Sequence, residues 1–172
     1  MFKREGFYIF AKRILLLALC ILTAMFQNTE GLLPEIFGSR FMPLIPLAVC
    51  IGIFRGEMSG LIYGAIAGCF WDVCSSGADG IHAFYLAFIG CAAGVLTHYL
   101  MRRNIVTQYC LTTVSCVIFV LIYWFITVYI PVGDAEYKAL LTFYLPSAVI
   151  TIALSFVSYF TVKLITGEKR ND

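Results

Sequence analysis

The chain is poor in charge and in the signatures of soluble chemistry. Asp, Glu, Lys and Arg together make up 13% of its 172 residues, against roughly a quarter in soluble domains, and its mean hydropathy is +0.90. So few charges cannot cover a water-facing surface, which excludes an ordinary soluble globule and leaves an integral membrane protein. Its two histidines, His82 and His98, stand near opposite ends of one apolar run and cannot share a metal ion. Its seven cysteines, Cys20, Cys50, Cys69, Cys74, Cys91, Cys110 and Cys116, form neither a CxxC pair nor a Cys/His ligand spacing, and they read as small apolar fillers. There is no phosphate loop or dinucleotide fingerprint. Ser59, Ser115, Ser155 and Ser158 have no base beside them, and no acid/base pair recurs at helical spacing. These absences leave no enzyme, cofactor, metal or nucleic-acid chemistry to read from the residues.

What remains is apolar runs punctuated by short polar turns. Crossing about 30 Å of hydrocarbon takes about 20 residues of helix, and the pattern predicts an all-α protein of six transmembrane helices, over about 14–29, 36–54, 58–73, 81–101, 105–130 and 140–165, forming a single integral membrane domain over 1–172. The first run lacks a small-x-small cleavage pattern and reads as a retained helix. Ahead of it, Lys3, Arg4, Lys12 and Arg13 interleave with aromatics, as in an interfacial amphipathic segment or a basic flank. The second run, broken by Pro34, Pro43 and Pro46, predicts a tilted or kinked helix. Six crossings put both termini on one side, and an inside N-terminus leaves only Arg40 and Lys138 of the twelve Lys and Arg residues outside. That satisfies the positive-inside rule, with Arg55, Arg102 and Arg103 as inner anchors. Trp71, Trp124, Tyr123, Tyr129, Tyr137 and Tyr144 gather toward the outer halves, as an aromatic belt would.

One stretch is more regular than the rest. Between Arg55 and Asp72, glycines recur at Gly56, Gly60, Gly64 and Gly68, and the next step of four lands on Asp72. A small residue every four positions lets another helix backbone approach closely, which is how helices associate in lipid. The stripe predicts a helix-packing interface, with a partner protein or with other helices of the same chain. Gly90 and Gly94 repeat the spacing one helix later. Asp72 lies about 24 Å of helix beyond Gly56, near the outer boundary of the hydrocarbon, where an ionisable group is a functional candidate. It has two readings: a carboxylate capping the next helix, or a charge presented to a partner or ligand. Asp79 and His82 can approach it across the following loop, giving a polar site near the outer face.

The run Arg55, Gly56, Gly60, Gly64, Gly68, Asp72, Ser76, Gly80 and Ala83, followed by a glycine-bearing helix and a short basic loop, resembles the rod shape-determining MreD family. The likeness is close over about 55–104 and rests elsewhere on length, span count and charge pattern. Cys69 and Asp79 stand where family members usually have a leucine and an aliphatic residue. The resemblance implies a non-enzymatic, multi-pass scaffold subunit of the cell-wall elongation machinery in the bacterial cytoplasmic membrane, in contact with membrane lipids. It implies MreC as a direct partner, expected to bind through the glycine-striped helix, and MreB, RodA and a class B penicillin-binding protein as indirect ones. The family in turn is similar to the six-helix S-components of energy-coupling-factor vitamin transporters, so a substrate-binding S-component is the alternative. Such a protein needs an outward pocket with convergent polar groups, for which only Asp72, Asp79 and His82 are legible. Phe2 and Lys3 replace the N-terminal metal-binding histidine of nickel and cobalt relatives.

Overall fold

In lipid the backbone must satisfy its own hydrogen bonds, so an apolar chain of this kind has helices available to it and little else. The computed structural model describes residues 2–29, 41–75, 80–126 and 145–167, and all its regular structure there is helical. The helices are α1 Phe2–Asn28, α2 Leu44–Arg55, α3 Glu57–Cys74, α4 Ile81–Tyr99, α5 Ile105–Trp124 and α6 Leu145–Thr166. Within them, Phe10–Asn28, α4, α5 and α6 are long and apolar enough to cross a membrane. At 12 residues α2 is shorter, and the glycines and terminal carboxylates of α3 dilute its apolar content.

The bundle is built around α2, not around the glycine-rich helix that the sequence singles out. Every residue from Leu44 to Phe54 is buried, and α2 touches all five other helices. The cause is compositional: α2 is apolar all round, as a fully enclosed helix must be, whereas α3 leaves Met58, Leu61, Ile62 and Val73 exposed on one side. The expected kink is also absent from the described part of this run. Pro43 is the N-cap and Pro46 falls in the first turn, where the missing N–H is an orphan in any case. Pro146 likewise opens α6.

Because neither Pro43 nor its neighbours can cap α2, other helices do so. Gln27 Oε1, at the end of α1, accepts from the Leu44 N–H at 3.3 Å, and Thr151 Oγ1, near the start of α6, accepts from the Met42 N–H at 3.0 Å. At the opposite end of the bundle, Lys12 Nζ donates to the Thr166 carbonyl at 2.7 Å, tying early α1 to the end of α6. Tyr63 Oη donates to the Arg13 carbonyl at 3.2 Å, and the His98 ring lies 3.7 Å from Glu57 Oε2. These contacts gather Lys12, Arg13, Arg55, Arg102, Arg103 and Lys163 at one end, with Gln27, Asp72 and His82 at the other. The basic N-terminal segment belongs to α1, which runs unbroken from Phe2.

Candidate functional site

Three of the four stripe glycines fill the contact between α3 and α4. A Cβ at Gly60 would collide with the Gly90 carbonyl, one at Gly64 with the Leu86 carbonyl, and one at Gly68 with the backbone of His82 and Ala83. The second set of glycines answers the first, since Cβ atoms at Gly90 and Gly94 would strike Gly60 and Glu57. The α3 glycine face is therefore covered by a helix of the same chain. Gly52 on α2 joins them, with its own missing Cβ directed at the Gly90 carbonyl and its Cα close to Gly60. Three backbones meet at this point, at separations that only residues without side chains permit.

Gly56 is a correction to the stripe. It is not a helical position: it ends α2 and starts α3 with φ 87° and ψ 175°, and a Cβ there would meet open space. The chain reverses at this one residue, in a conformation that glycine adopts without penalty and L-residues rarely do. The four-residue spacing places Gly56 in register with the stripe, but the turn takes it out of the helix.

At the far end of α3 the polar site assembles. Helix α4 begins after Gly80, which has φ 69° and no side chain with which to cap. Asp72, from the last turn of α3, supplies the cap across the connection. Its Oδ2 accepts from the Ala83 N–H at 2.9 Å, and its Oδ1 accepts from the His82 N–H at 3.3 Å and from His82 Nδ1 at 2.7 Å. Both side chains are buried. A carboxylate at a helix N-terminus also meets the positive end of the helix dipole. Of the two readings of Asp72, the cap is the one the geometry displays.

His82 is enclosed by rings. Trp71 stacks on it with centroids 4.3 Å apart and planes 26° from parallel, while Phe119 and Tyr123 of α5 stand at 5.8 Å and 5.7 Å. Trp71 is thus an inward-facing wall residue and departs from the expected aromatic belt. Beside these rings lies a cavity of about 390 Å³, lined by Gln27, Asn28, Trp71, His82, Phe119 and Tyr123 among others. The α1 contribution to this site escaped the sequence reading, although the polar pair Gln27-Asn28 at the end of an apolar run was its signal. Asp79 and Ser76 fall outside the described residues.

The other candidates lie apart from this site. Arg55 ends α2, and Arg102 and Arg103 occupy the connection between α4 and α5, all at the basic end and remote from Asp72. Cys20, Cys50 and Cys116 are buried and every described cysteine is a free thiol. No group of three metal-ligating side chains occurs among the described residues. Tyr85 Oη donates to the Ser115 carbonyl, and Gln108 Nε2 to the Ser155 carbonyl at 3.0 Å. These buried polar contacts link α4 to α5 and α5 to α6.

Comparison with curated proteins and with solved structures yields no match. A family model described as rod shape-determining protein MreD matches residues 7–166, nearly the whole chain.

Proposed function

Because the chain belongs to the MreD family of rod shape-determining proteins, we propose that it acts as a non-enzymatic membrane scaffold subunit of the bacterial cell-wall elongation complex. The observation that carries this reading is the match over 7–166, which spans all six helices rather than one motif. The family is a structural shape-determining component and not a known enzyme family, and the described residues assemble no catalytic constellation. In this reading the chain is one integral domain crossing the cytoplasmic membrane six times with both termini inside. The clustering of Lys12, Arg13, Arg55, Arg102, Arg103 and Lys163 at one end supports that orientation.

MreC is the proposed direct partner, with MreB, RodA and a class B penicillin-binding protein reached through it. Since α4 covers the glycine face of α3, a partner helix is left with the lipid-facing sides of the bundle, where Phe84, Phe88, Val106 and Leu164 are exposed. The test is affinity purification from the native host in mild detergent. Recovery of a bitopic coiled-coil protein supports the scaffold. Recovery of two ATPases with a coupling subunit would replace it with the transporter reading.

A further inference from the structure

The cavity beside His82 has a lining that its capping role does not require. Asp72 holds α4 through the His82 and Ala83 N–H groups and engages one ring nitrogen of His82, yet the ring also borders a hollow and is framed by three aromatic side chains. Among the described residues Nδ1 is the only ring nitrogen of His82 with a hydrogen-bond partner. With Nδ1 engaged by the carboxylate, Nε2 is the ring nitrogen left to meet a ligand in the cavity. Gln27 spends its carbonyl on the Leu44 N–H, which leaves its NH₂ as a donor. Asn28 spends its NH₂ on the Ala24 carbonyl at 2.9 Å, which leaves its carbonyl as an acceptor.

We propose that this cavity is a binding site for a neutral, hydroxyl-bearing ring, a sugar unit, seated against Trp71, Phe119 and Tyr123 and hydrogen-bonded by Gln27, Asn28 and His82. Charge excludes the main competitors. An anion finds no Lys or Arg in the described lining, and the α4 N–H groups that would greet it are occupied by Asp72. A cation finds no carboxylate in the described lining, since Asp72 is turned to the α4 N–H groups and the His82 ring. A purely apolar chain would strand the amides and the imidazole, at a cost that buried polar groups do not bear. A hydroxylated ring suits both surfaces, since each hydroxyl both donates and accepts and its C–H face can lie on an aromatic plane. The volume of about 390 Å³ falls within the usual range for small-ligand sites. This site stands independently of the assembly reading.

The source of the sugar, free or as the headgroup of a lipid, is separated by the probes. The full chain carrying Trp124→Phe, so that Trp71 is its only indole, is purified in a detergent without a sugar headgroup. Trp71 emission is then titrated with glucose and N-acetylglucosamine, and, after transfer to phosphatidylcholine nanodiscs, with monoglucosyl diacylglycerol. Glucose 6-phosphate and choline are the charged controls. The expected result is a saturable change with neutral sugars, with the glycolipid, or with both, and none with the controls. A response to the glycolipid alone assigns the site to a headgroup, and a response to free sugar alone assigns it to a soluble ligand. His82→Asn keeps an amide donor near the Nδ1 position and removes Nε2, and it should weaken binding roughly three- to tenfold, the worth of one hydrogen bond. Asn28→Leu, in the lining but outside the Asp72 cap, should do the same, and it carries the test if His82→Asn fails to fold. Absence of any saturable response to sugar or glycolipid would overturn the proposal. So would stronger binding of a charged control, or unchanged affinity in a folded variant.

Discussion

Asp72 and His82 are joined twice: one carboxylate oxygen receives both the backbone N–H and the ring Nδ1 of the histidine, at 3.3 Å and 2.7 Å. With the Ala83 N–H on the other oxygen, a single side chain of α3 fixes where α4 starts and how its first ring is turned. An asparagine cannot reproduce all of this, because it has one acceptor oxygen where the aspartate has two. Asp72→Asn should therefore lose at least one of the three bonds, at about 1–3 kcal/mol for a buried group left unpaired, and Asp72→Leu should lose all three. Thermal unfolding of the two variants in detergent, read beside membrane abundance, checks the order: native above Asn above Leu. Native-like stability of both, with function abolished, would transfer the role of Asp72 from the cap to its charge.

The junction of Gly52, Gly60 and Gly90 sets up a test on a single methyl group. An alanine at Gly52, Gly60 or Gly90 directs its Cβ into backbone atoms of another helix, and backbone cannot turn aside as a side chain does. Each substitution should destabilise by about 1–3 kcal/mol or more, in the manner of an overpacked core, and should lower the amount of folded protein in the membrane. Gly56→Ala meets no atom but must adopt φ 87° with ψ 175°, a combination that is essentially glycine's alone, so its penalty is backbone strain of about 1–3 kcal/mol. Gly64→Leu should likewise exceed Ala65→Leu, which points away from the Leu86 backbone. Stable, abundant Gly60→Ala protein that no longer co-purifies with its partner would mean that the stripe serves a partner after all.

Gln108 is wholly buried, donates to the Ser155 carbonyl, and leaves its Oε1 without a hydrogen bond among the described residues, as does Thr112 Oγ1 nearby. A half-satisfied amide in a low-dielectric interior contributes little net stability, and interhelical hydrogen bonds in membranes average about 0.6 kcal/mol. Gln108→Met, close in shape and free of polar groups, should change stability by less than about 1 kcal/mol. Loss of rod-shape rescue by a Gln108→Met protein of unchanged stability and abundance would give the amide a functional role in place of a packing one.

Spacing made some of this architecture legible and tertiary geometry withheld the rest. The spacing of Gly60, Gly64 and Gly68, and of Gly90 with Gly94, is local, so a period of four exposed each set, while their pairing across α3 and α4 came from the packing. Gly52 sits one further step of four before Gly56, yet the chain reverses at Gly56, and periodicity carries no phase across a turn. The Asp72 cap was one of two readings open to the sequence, because a carboxylate ten residues before His82 can either reach the next helix start or face outward. The caps of α2 were not legible, because Gln27 and Thr151 lie 17 and 109 positions from the amides they satisfy. Trp71 misled for a related reason: its depth fits an interfacial belt, but the side of α3 on which it stands, and so its contact with His82, depends on where α4 and α5 pack.

The orientation of the bundle yields the last prediction. The described helices put Arg55, Arg102 and Arg103 at the end where α1 begins and α6 finishes, and Ser75 at the end that holds Asp72. Translocating a cluster of Lys and Arg is unfavourable, so the basic end should stay in the cytoplasm. In a cysteine-free background, single cysteines at Ser75, Ser39 and Asp134 should react with an impermeant maleimide added to intact cells stripped of their outer barrier, and one at Asn104 should react only after the membrane is opened. Asn104 precedes α5 in the same connection as Arg102 and Arg103, so its protection reports directly on the basic end. Labelling of Asn104 from outside together with protection of Ser75 would invert the protein and move the His82 cavity to the cytoplasmic side. Labelling of both from the same side would mean that α4 does not cross, although Ile81–Tyr99 is long and apolar enough to do so.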